Sequence, residues 1–420
     1  MAVKAPRGTR DISIGDSYKW QYIEEKIRAC TALFHYKEIR TPIFEHTELF
    51  LRGVGDTTDI VQKEMYTFLD KGERSITLRP EGTAGVVRSF IETGLVGGPQ
   101  PTKLYYLAAP VFRYENPQAG RLRQHHQFGI EIFGAKDASA DAEAITLAYQ
   151  VLSELGVNEN LVLNINSIGC KECRPKYNAA LKEYYQAHEA ELCHSCKERL
   201  ERNPLRLLDC KEEHCTQLAE QAPRILDYLC ADCESHFTAL QAYLAAAKID
   251  YVINPKIVRG LDYYTKTVFE IVSNQIGSQG TVCGGGRYDG LIKELDGPEM
   301  PGVGFGMGME RLLMVMENAG VTIPQPEEVE IFLCTMGDAA RKKAFSYLLQ
   351  LRKAGIAADM DHNARSLKAQ FKFADKMNAK YVITIGENEI AEDEAKLRDM
   401  QDGTEKTVVL SAPLTWIREK

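Results

Sequence analysis

The sequence has 420 residues, 44% hydrophobic and 26% charged, a composition typical of a globular protein with two or three domains. Its net charge of −8 argues against a generally basic protein that coats nucleic acid, although local basic patches remain compatible with it. The stretch MAVKAPRGTRD lacks the apolar core of a secretory signal, and no segment approaches the roughly 18 apolar residues that span a bilayer. We therefore expect a cytoplasmic protein with no membrane contact.

The first half of the chain predicts helices and antiparallel strands. A helix with apolar residues at helical spacing is followed by KEIRTPIFE, a strand whose Pro42 favours a sheet edge or an interface. Next come a hairpin that turns at Lys71-Gly72 and a helix with Glu81 near its start. KLYYLAAPVFRYE and HHQFGIEIFG are then predicted as an antiparallel pair around the polar loop NPQAGRLRQ.

The second half contains an insertion, a linker and a change of pattern. A helix near 140–155 and the strand LVLNINSIG precede a polar, cysteine-rich helical segment at about 170–237, interpreted as an insertion. Further strands, including YYTKTVFEIV with Tyr264 and Lys266 on one face, end in GVGFGMG. TIPQPEEVE is interpreted as a linker. Beyond it, alternating strands and helices predict a mixed or parallel sheet. The predicted fold class is thus α+β, with one domain at 1–325 and an α/β domain at 326–420.

Two predicted strands carry polar groups on one face. Strand alternation in QHHQFGIEIFG places Gln127, Gly129 and Glu131 on one side and apolar residues on the other. Arg113, in the preceding strand, has a planar guanidinium that can bind phosphate or carboxylate oxygens. A solvated strand face, and an ion pair between Arg113 and Glu115, are the alternative interpretations.

The stretch GVGFGMGMER alternates glycine with large apolar residues, so one face of the predicted strand is bare backbone. Each glycine costs roughly 0.5–1 kcal/mol relative to alanine, which favours close approach by a ligand or, alternatively, tight packing. Arg311 follows at a helix start, where the helix dipole also favours an anion. Neither a dinucleotide-binding glycine motif nor a P-loop occurs, so a site for ATP would lie on an antiparallel sheet with arginines.

These segments, in this order, resemble the three signature motifs of class II aminoacyl-tRNA synthetases. Pro42 lies in the first, FRYE and the returning strand form the second, and GVGFGMGMER forms the third. Within that class, LRPEGTAGVVR, VRGLDYYT and GGGRYDGL are similar to the histidyl-tRNA synthetase family. The resemblance covers nearly the whole chain. It implies a class II antiparallel-sheet catalytic domain with a small helical insertion, followed by an anticodon-binding domain.

The resemblance also implies a reaction and its participants. ATP, with Mg²⁺ at its phosphates, would activate L-histidine to histidyl-adenylate, and the histidyl group would pass to the 3′ end of histidine tRNA. A homodimer would form around Pro42. The implied histidine-binding residues are Glu81, Thr83, Arg113, Gln127, Glu131, Arg259, Tyr263 and Tyr264. The implied ATP-binding residues are Arg113, Arg121 and Arg311, and those binding tRNA are Gln118, Arg123, Arg365, Lys368 and Lys372.

Individual roles follow from the same resemblance. Glu81, Thr83 and Gln127 would hold the amino group, and Glu131 and Tyr264 the imidazole ring. An imidazole has a polar nitrogen on each side, and leaving one unpaired in a buried pocket costs about 1–3 kcal/mol.

The arginines would act on the phosphates. Arg113 would bind the α-phosphate of a bent ATP, and Arg311 would bind its terminal phosphate. Arg259 would lie near the reacting carboxylate and the α-phosphate. Arg113 and Arg259 are therefore the implied catalytic residues.

A basic patch lies between Arg341 and Lys380, with ten lysines or arginines against three aspartates. On charge alone it is interpreted as a solvated helical face. Arg365, Lys368, Lys372 and Lys376 are predicted to lie on one side of a helix. The resemblance implies instead that they contact the anticodon stem, and that the loop NPQAGRLRQ contacts the acceptor end.

Eight of the eleven cysteines lie between Cys170 and Cys233. The spacing of CKEC and CHSC predicts a structural zinc site formed by Cys170, Cys173, Cys193 and Cys196, and CKEEHC with CADC could form a second. The resembled family does not require zinc, so a cluster without metal is the alternative.

Two other functions fit parts of the sequence. One is the regulatory subunit of an ATP phosphoribosyltransferase, a paralogue without an anticodon-binding domain. The other is a nucleic-acid-binding sensor of synthetase origin. Neither needs an intact set of Arg113, Arg259 and Arg311, so histidine-dependent ATP–pyrophosphate exchange separates them from the enzyme.

Overall fold

The computed structural model describes residues 2–55, 58, 60–117, 120, 122–157, 159, 161–273, 280–326 and 329–412. The chain divides into two compact units, Met1–Ile323 and Pro324–Lys420. The division falls inside the predicted linker TIPQPEEVE, two residues before the predicted boundary.

The first unit alternates helices with antiparallel strands. Its helices are α1 Ser17–Leu33, α2 Thr47–Val54, α3 Thr83–Glu92, α4 Ala138–Glu154, α5 Cys173–Ala187, α6 His194–Arg202, α7 Glu213–Gln221, α8 Ala231–Ala246, α9 Leu291–Glu294 and α10 Met309–Asn318. Its strands are β1 Lys37–Glu38, β2 Phe44–His46, β3 Tyr66–Leu69, β4 Ser75–Leu78, β5 Thr102–Phe112, β6 Gln124–Phe133, β7 Leu161–Ser167, β8 Val252–Ile253, β9 Thr265–Ser273, β10 Thr281–Arg287 and β11 Gly302–Gly308.

Eight of these strands form one sheet in the order β1-β5-β6-β11-β10-β9-β7-β8. The pairs from β5 to β7 are antiparallel, and the outer strands β1 and β8 add in parallel. The predicted alternation of β6 is confirmed, because Phe128, Ile130 and Ile132 lie in the main core with residues of α1, α4, α8 and α10. The opposite face of β6 is consequently available for polar side chains.

The predicted hairpin and its neighbouring strand form a separate small sheet, in the order β2-β4-β3. The turn between β3 and β4 is closed by Asp70, whose Oδ1 accepts from the backbone N–H groups of Gly72 at 2.8 Å and Arg74 at 3.0 Å. Side-chain capture of turn amides is a common use of aspartate. Phe44 and Leu69 nevertheless remain 58% and 67% exposed in this unit, so the small sheet presents apolar surface.

The predicted insertion is helical and has its own small core. Tyr177, Leu181, Tyr185 and Leu200 are buried together there. Helix α8 leaves the insertion, since Leu240 and its neighbours pack in the main core instead.

The second unit has the mixed sheet that its strand–helix alternation predicts. Its helices are α11 Asp338–Lys353, α12 Leu367–Lys376 and α13 Glu387–Glu392, and its strands are β12 Ile331–Thr335, β13 Ala358–Met360, β14 Tyr381–Ile385, β15 Glu394–Asp399 and β16 Glu405–Val409. The order is β13-β12-β14-β15-β16, parallel over the first three strands and antiparallel over the last three. Ala340, Ala344 and Leu348 of α11 are fully buried among the strand residues.

None of the helices in the described ranges combines the length and apolar character needed to cross a membrane.

Candidate active site

A cavity of about 200 Å³ opens on the polar face of the large sheet, over β6, β10 and β11. Four of the predicted site residues line it, namely Arg113, Gln127, Arg259 and Arg311. Gly306 is part of its floor, and a Cβ there would lie 3.6 Å from Gln127 Nε2, which is ordinary contact. Glycine therefore leaves the cavity open at this point without being forced by packing.

Backbone carbonyls hold two of the arginines. Arg113 Nε donates to the carbonyl of Pro80 at 2.9 Å, and Nη1 lies 4.0 Å from a carboxylate oxygen of Glu64. Burial lowers the pKa of Arg113, but a guanidinium keeps its charge throughout the physiological range. In the first turn of α10, Arg311 Nε donates to the carbonyl of Gly120 at 3.2 Å. Both groups are thus fixed before any ligand binds.

An ion pair with a carboxylate holds Arg259 in place at the cavity. Its guanidinium donates to the carboxylate of Glu270 on β9. Burial is the largest single effect and opposes its charge, yet the combined attraction of the Glu270 carboxylate and neighbouring side chains raises the pKa of Arg259. A Cβ at Gly284 of β10 would lie 2.4 Å from Arg259 Nη2, so only glycine lets the guanidinium lie across this strand.

Strand β6, which contributes Gln127 to the cavity, also carries a buried carboxyl group. Glu131 is fully buried; its Oε2 accepts from the hydroxyl of Tyr288, and its Oε1 has no partner among the described residues. Burial raises the pKa of Glu131 to about 8. Opposite it, a Cβ at Gly304 would lie 2.1 Å from Oε2, so at this position the glycine is required by close packing.

Tyrosine side chains pack around this carboxyl group. The rings of Tyr263 and Tyr264 lie 4.7 Å apart, and that of Tyr288 lies 5.5 Å from Tyr263. All three are buried. Together with Tyr106, they surround the carboxyl group with aromatic faces and hydroxyl groups, which suits a small, flat, polar ligand.

Glu81 and Thr83 lie at the start of α3. The Glu81 carboxylate accepts from the backbone N–H groups of Thr83 at 2.7 Å and Ala84 at 2.8 Å. Burial raises the pKa of Glu81, against the opposing effects of these bonds and of Arg113. Each carboxylate oxygen has a second lone pair, so this cap leaves Glu81 able to accept from a ligand.

The sequence was compared with those of known protein families. Residues 8–312 match the family described as histidyl-tRNA synthetase, which is more than half of the chain. The chain belongs to the histidyl-tRNA synthetase family. Residues 329–420 match a second family, described as the anticodon binding domain.

The sequence also matches individual relatives over all or nearly all of their length. The synthetase is 58% identical to the histidine–tRNA ligase of Caldanaerobacter subterraneus subsp. tengcongensis, over 98% of both chains. It is 55% identical to that of Clostridioides difficile, over 100% of both. Among solved structures, apo S. aureus histidyl-tRNA synthetase has a TM-score of 0.82 and 42% identity over 98% of both chains. The predicted enzyme class and the predicted charging of tRNA with histidine, using ATP, are confirmed.

The structure corrects one step of the sequence-based reasoning about the synthetase. The strand predicted from YYTKTVFEIV begins only at Thr265, and Arg259, Tyr263 and Tyr264 precede it in irregular backbone. Alternation therefore does not orient them. The backbone is held instead by Arg174, which donates to the Tyr264 carbonyl, and by Asp262, whose N–H donates to the carbonyl of Val54 at 3.2 Å.

The predicted tRNA loop is only partly described. Gln118 and Arg121 lie outside the described residues. Arg123 stacks over the ring of Tyr114 at 4.1 Å and donates from Nε to the carbonyl of Glu115 at 3.0 Å. Arg123 thus supports the base of the loop in this structure.

In the second unit, the basic residues divide into two groups. Lys368, Lys372 and Lys376 are exposed on one face of α12, at a spacing of four residues. Arg365 precedes the helix, pairs with Asp361 at 3.2 Å and stacks on Phe373 at 4.2 Å. The prediction that all of them share one helical face is therefore correct only for the lysines.

Several residues of the site escape sequence reasoning. Glu310 lines the cavity, and its carboxylate accepts from the backbone N–H of His126 at 3.0 Å and from its Nδ1 at 2.9 Å. Its position directly before Arg311 is the signal that could have revealed it. Tyr106 and Glu270 offer no comparable signal. Tyr106 is brought to the site by the pairing of β5 with β6, and Glu270 meets Arg259 only because the irregular segment before β9 folds back over β10.

The cysteines group differently from the prediction. Cys170 and Cys173 do not share a cluster with Cys193 and Cys196. The first cluster is Cys170, Cys173, Cys230 and Cys233, and the second is Cys193, Cys196, Cys210 and Cys215. Each cluster combines two pairs of cysteines that are close in the sequence, with two intervening residues in three of the pairs and four between Cys210 and Cys215. Spacing does not determine which pairs meet.

Glu131→Gln is expected to gain stability relative to the wild type as the pH rises. The unfolded carboxyl titrates near 4.5 and the folded one near 8, so between these values only the folded chain keeps the proton. Wild-type stability therefore falls across this window, by on the order of a few kcal/mol, whereas a neutral glutamine does not titrate. The difference in Tm between the two proteins, measured without ligands at about pH 5 and about pH 8.5, checks this. A difference that is independent of pH would contradict it.

Proposed function

We propose that the arginine-lined cavity binds ATP and the reacting carboxylate, while the adjoining pocket binds the histidine side chain. The observation that carries this assignment is the convergence of Arg113, Arg259 and Arg311 on one cavity beside the buried carboxyl of Glu131. Three cations around a space of about 200 Å³ suit a polyanion, and a pocket closed to solvent suits an amino-acid side chain. Histidine-dependent ATP–pyrophosphate exchange tests it.

The first chemical step needs charge stabilisation more than proton transfer. A carboxylate oxygen of histidine attacks the α-phosphorus of ATP, and the bond to the bridging oxygen breaks to release pyrophosphate. Arg113 and Arg259 neutralise the α-phosphate and the approaching carboxylate, and Arg311 holds the terminal phosphate. Because all three are positioned by carbonyls or by Glu270 in advance, little reorganisation accompanies the step.

The histidine pocket explains why a carboxyl oxygen is left without a partner. Glu131 Oε1 is buried and unpaired among the described residues, which costs about 1–3 kcal/mol in the absence of ligand. A ring nitrogen of histidine pairs with this oxygen, and Tyr264 pairs with the other ring nitrogen. Glu81, Thr83 and Gln127 accept from the amino group. An amino acid without a second polar ring nitrogen leaves one of these partners unsatisfied.

The cavity also contains the oxygen ligands that Mg²⁺ prefers. The carboxylates of Glu115 and Glu310 line it, and a carboxylate oxygen that accepts one hydrogen bond keeps a lone pair for a cation. These two residues would hold Mg²⁺ beside the β- and γ-phosphates. When bound, the ion neutralises part of the phosphate charge.

The lysine face of α12 is assigned to the tRNA. Replacing Lys368, Lys372 and Lys376 together by alanine is expected to weaken tRNA binding and to reduce the slope of log K against log salt by about two to three, roughly one per lost phosphate contact. Filter binding of histidine tRNA over a range of salt concentrations measures both. Lys396→Ala, an exposed lysine on β15 of the same unit, is the matched control. An unchanged slope in the triple variant would show that these lysines do not contact tRNA phosphates and are simply solvated.

The loop that contains Gln118 and Arg121, with Arg123 at its base, is assigned to the acceptor end. A basic loop beside the cavity suits phosphates and base edges. Arg121 would also contact ATP, since Gly120 lies beside Arg311 at the cavity wall.

We also propose a cytoplasmic homodimer. Ile43 and Phe44, next to Pro42, and Phe68 and Leu69 of the neighbouring hairpin are 46–67% exposed. An apolar surface of this kind is typical of a protein–protein interface. All eleven cysteines are free, which is consistent with a reducing compartment.

A further inference from the structure

We propose that the insertion binds two zinc ions, each coordinated by four cysteine thiolates. The first site consists of Cys170, Cys173, Cys230 and Cys233, and the second of Cys193, Cys196, Cys210 and Cys215. Within each group all four sulfur atoms lie within 4.8 Å of one another. Eight cysteines in two such groups, in a segment of this size, require an explanation that packing alone does not give.

The sulfur–sulfur distances fit tetrahedral zinc. Cys170 Sγ lies 3.7 Å from Cys173 Sγ and 3.8 Å from Cys230 Sγ, and Cys193 Sγ lies 3.8 Å from Cys210 Sγ. Zinc–sulfur bonds of roughly 2.3 Å in a tetrahedron place the ligand atoms roughly 3.8 Å apart. A disulfide would bring two sulfurs to about 2.05 Å, and all of these cysteines are free.

Backbone amides are oriented toward the sulfur atoms. In the first site, the N–H of Cys230 donates to Cys173 Sγ at 3.1 Å. In the second, the N–H groups of Cys193 and Cys196 donate to Cys215 Sγ and Cys193 Sγ, each at 3.4 Å. Such bonds stabilise thiolates and fix the orientation of metal ligands. The surroundings of the sulfurs are therefore those of a ligand set.

The ligand set indicates the metal and its role. Four thiolates in a tetrahedral arrangement select zinc or iron, and sulfurs this close together enclose a single ion and leave no room for a cluster of several irons. Because four protein ligands complete the coordination, no position remains for a substrate, and each site is structural.

Each ion closes a loop of the insertion. The first site joins the segment after β7 to the start of α8, and so closes the base of the insertion. Arg174, next to Cys173, donates to the carbonyl of Tyr264, which links this base to the histidine pocket. The second site closes an inner loop, from which Asn203 and Arg206 both donate to Asp262 at 3.2 Å. Both ions thus support the irregular segment that carries Tyr263 and Tyr264.

Elemental analysis of the full-length chain, purified without chelators, tests the proposal. The wild type is expected to contain two zinc ions per chain. The double variants Cys170→Ser/Cys173→Ser and Cys193→Ser/Cys196→Ser are each expected to retain one. Cys334→Ala removes a buried cysteine of the second unit and is expected to retain both, as the matched control.

A measurement on the wild type alone tests the zinc content even if the variants fail to fold. Titration with a mercurial thiol reagent, followed by a colorimetric zinc indicator, is expected to release two equivalents of zinc per chain. One equivalent or less, or iron in place of zinc, would overturn the proposal. Loss of all metal from either double variant while the protein remains folded would overturn the division into two independent sites.

Discussion

Replacing Arg259 by alanine is expected to reduce histidine-dependent ATP–pyrophosphate exchange by about 10³-fold, the usual loss when a fixed cation is removed from a phosphoryl-transfer site. Arg259 forms an ion pair with the carboxylate of Glu270, and that pair fixes its position. In the proposed assignment Arg259 lies beside the two reacting groups, so its removal would take a positive charge from them, and kcat should fall more than KM rises.

The variant Arg259→Lys distinguishes the contribution of the positive charge from that of the planar guanidinium geometry. A lysine keeps the positive charge but has no planar fork, so we expect intermediate exchange activity. Thermal unfolding of both variants should remain cooperative, since Arg259 makes no contribution to the main core. Exchange close to the wild-type rate in the alanine variant would show that Arg259 has no role in the adenylation step.

Replacing Glu131 by alanine is expected to raise KM for histidine by about 100-fold, because a hydrogen bond to a charged or acidic group in a dry pocket contributes about 1.5–3 kcal/mol. The variant loses the imidazole partner and leaves the hydroxyl of Tyr288 without its acceptor. Steady-state exchange at varied histidine concentration measures the effect.

The KM for ATP serves as the internal control for Glu131→Ala. Glu131 is fully buried and does not line the arginine cavity, so KM for ATP should change by less than about twofold. Equal rises in both constants would show that the substitution disturbs the whole site and would contradict a specific contact with the imidazole.

Local patterns predicted the parts of the site that lie on regular strands. Gln127 and Glu131 could be placed on one face of β6 because strand alternation depends only on neighbouring residues. The glycines of β11 were predicted to allow close approach by a ligand or, alternatively, tight packing, and the structure shows two situations: Gly306 lies in the floor of the cavity, whereas Gly304 makes room for the Glu131 side chain. Sequence alone does not separate an open floor from close packing.

The remaining parts depend on contacts between distant segments. Arg259 and Tyr264 lie in irregular backbone held by Arg174 from the insertion, so no periodic pattern describes them, and their assignment came from family resemblance. The cysteine pairing failed for a related reason. Three C-x₂-C pairs and one C-x₄-C pair allow several combinations, and the path of the chain between Cys173 and Cys230 decides which pairs meet.

The most direct test of the account is ATP–pyrophosphate exchange by the wild-type chain with single amino acids. L-Histidine should support exchange, while L-phenylalanine, which is similar in shape but has no ring nitrogens, should not support it above background. Exchange supported equally by both amino acids, or by neither, would contradict a pocket in which Glu131 and Tyr264 select the imidazole beside an ATP site formed by Arg113, Arg259 and Arg311.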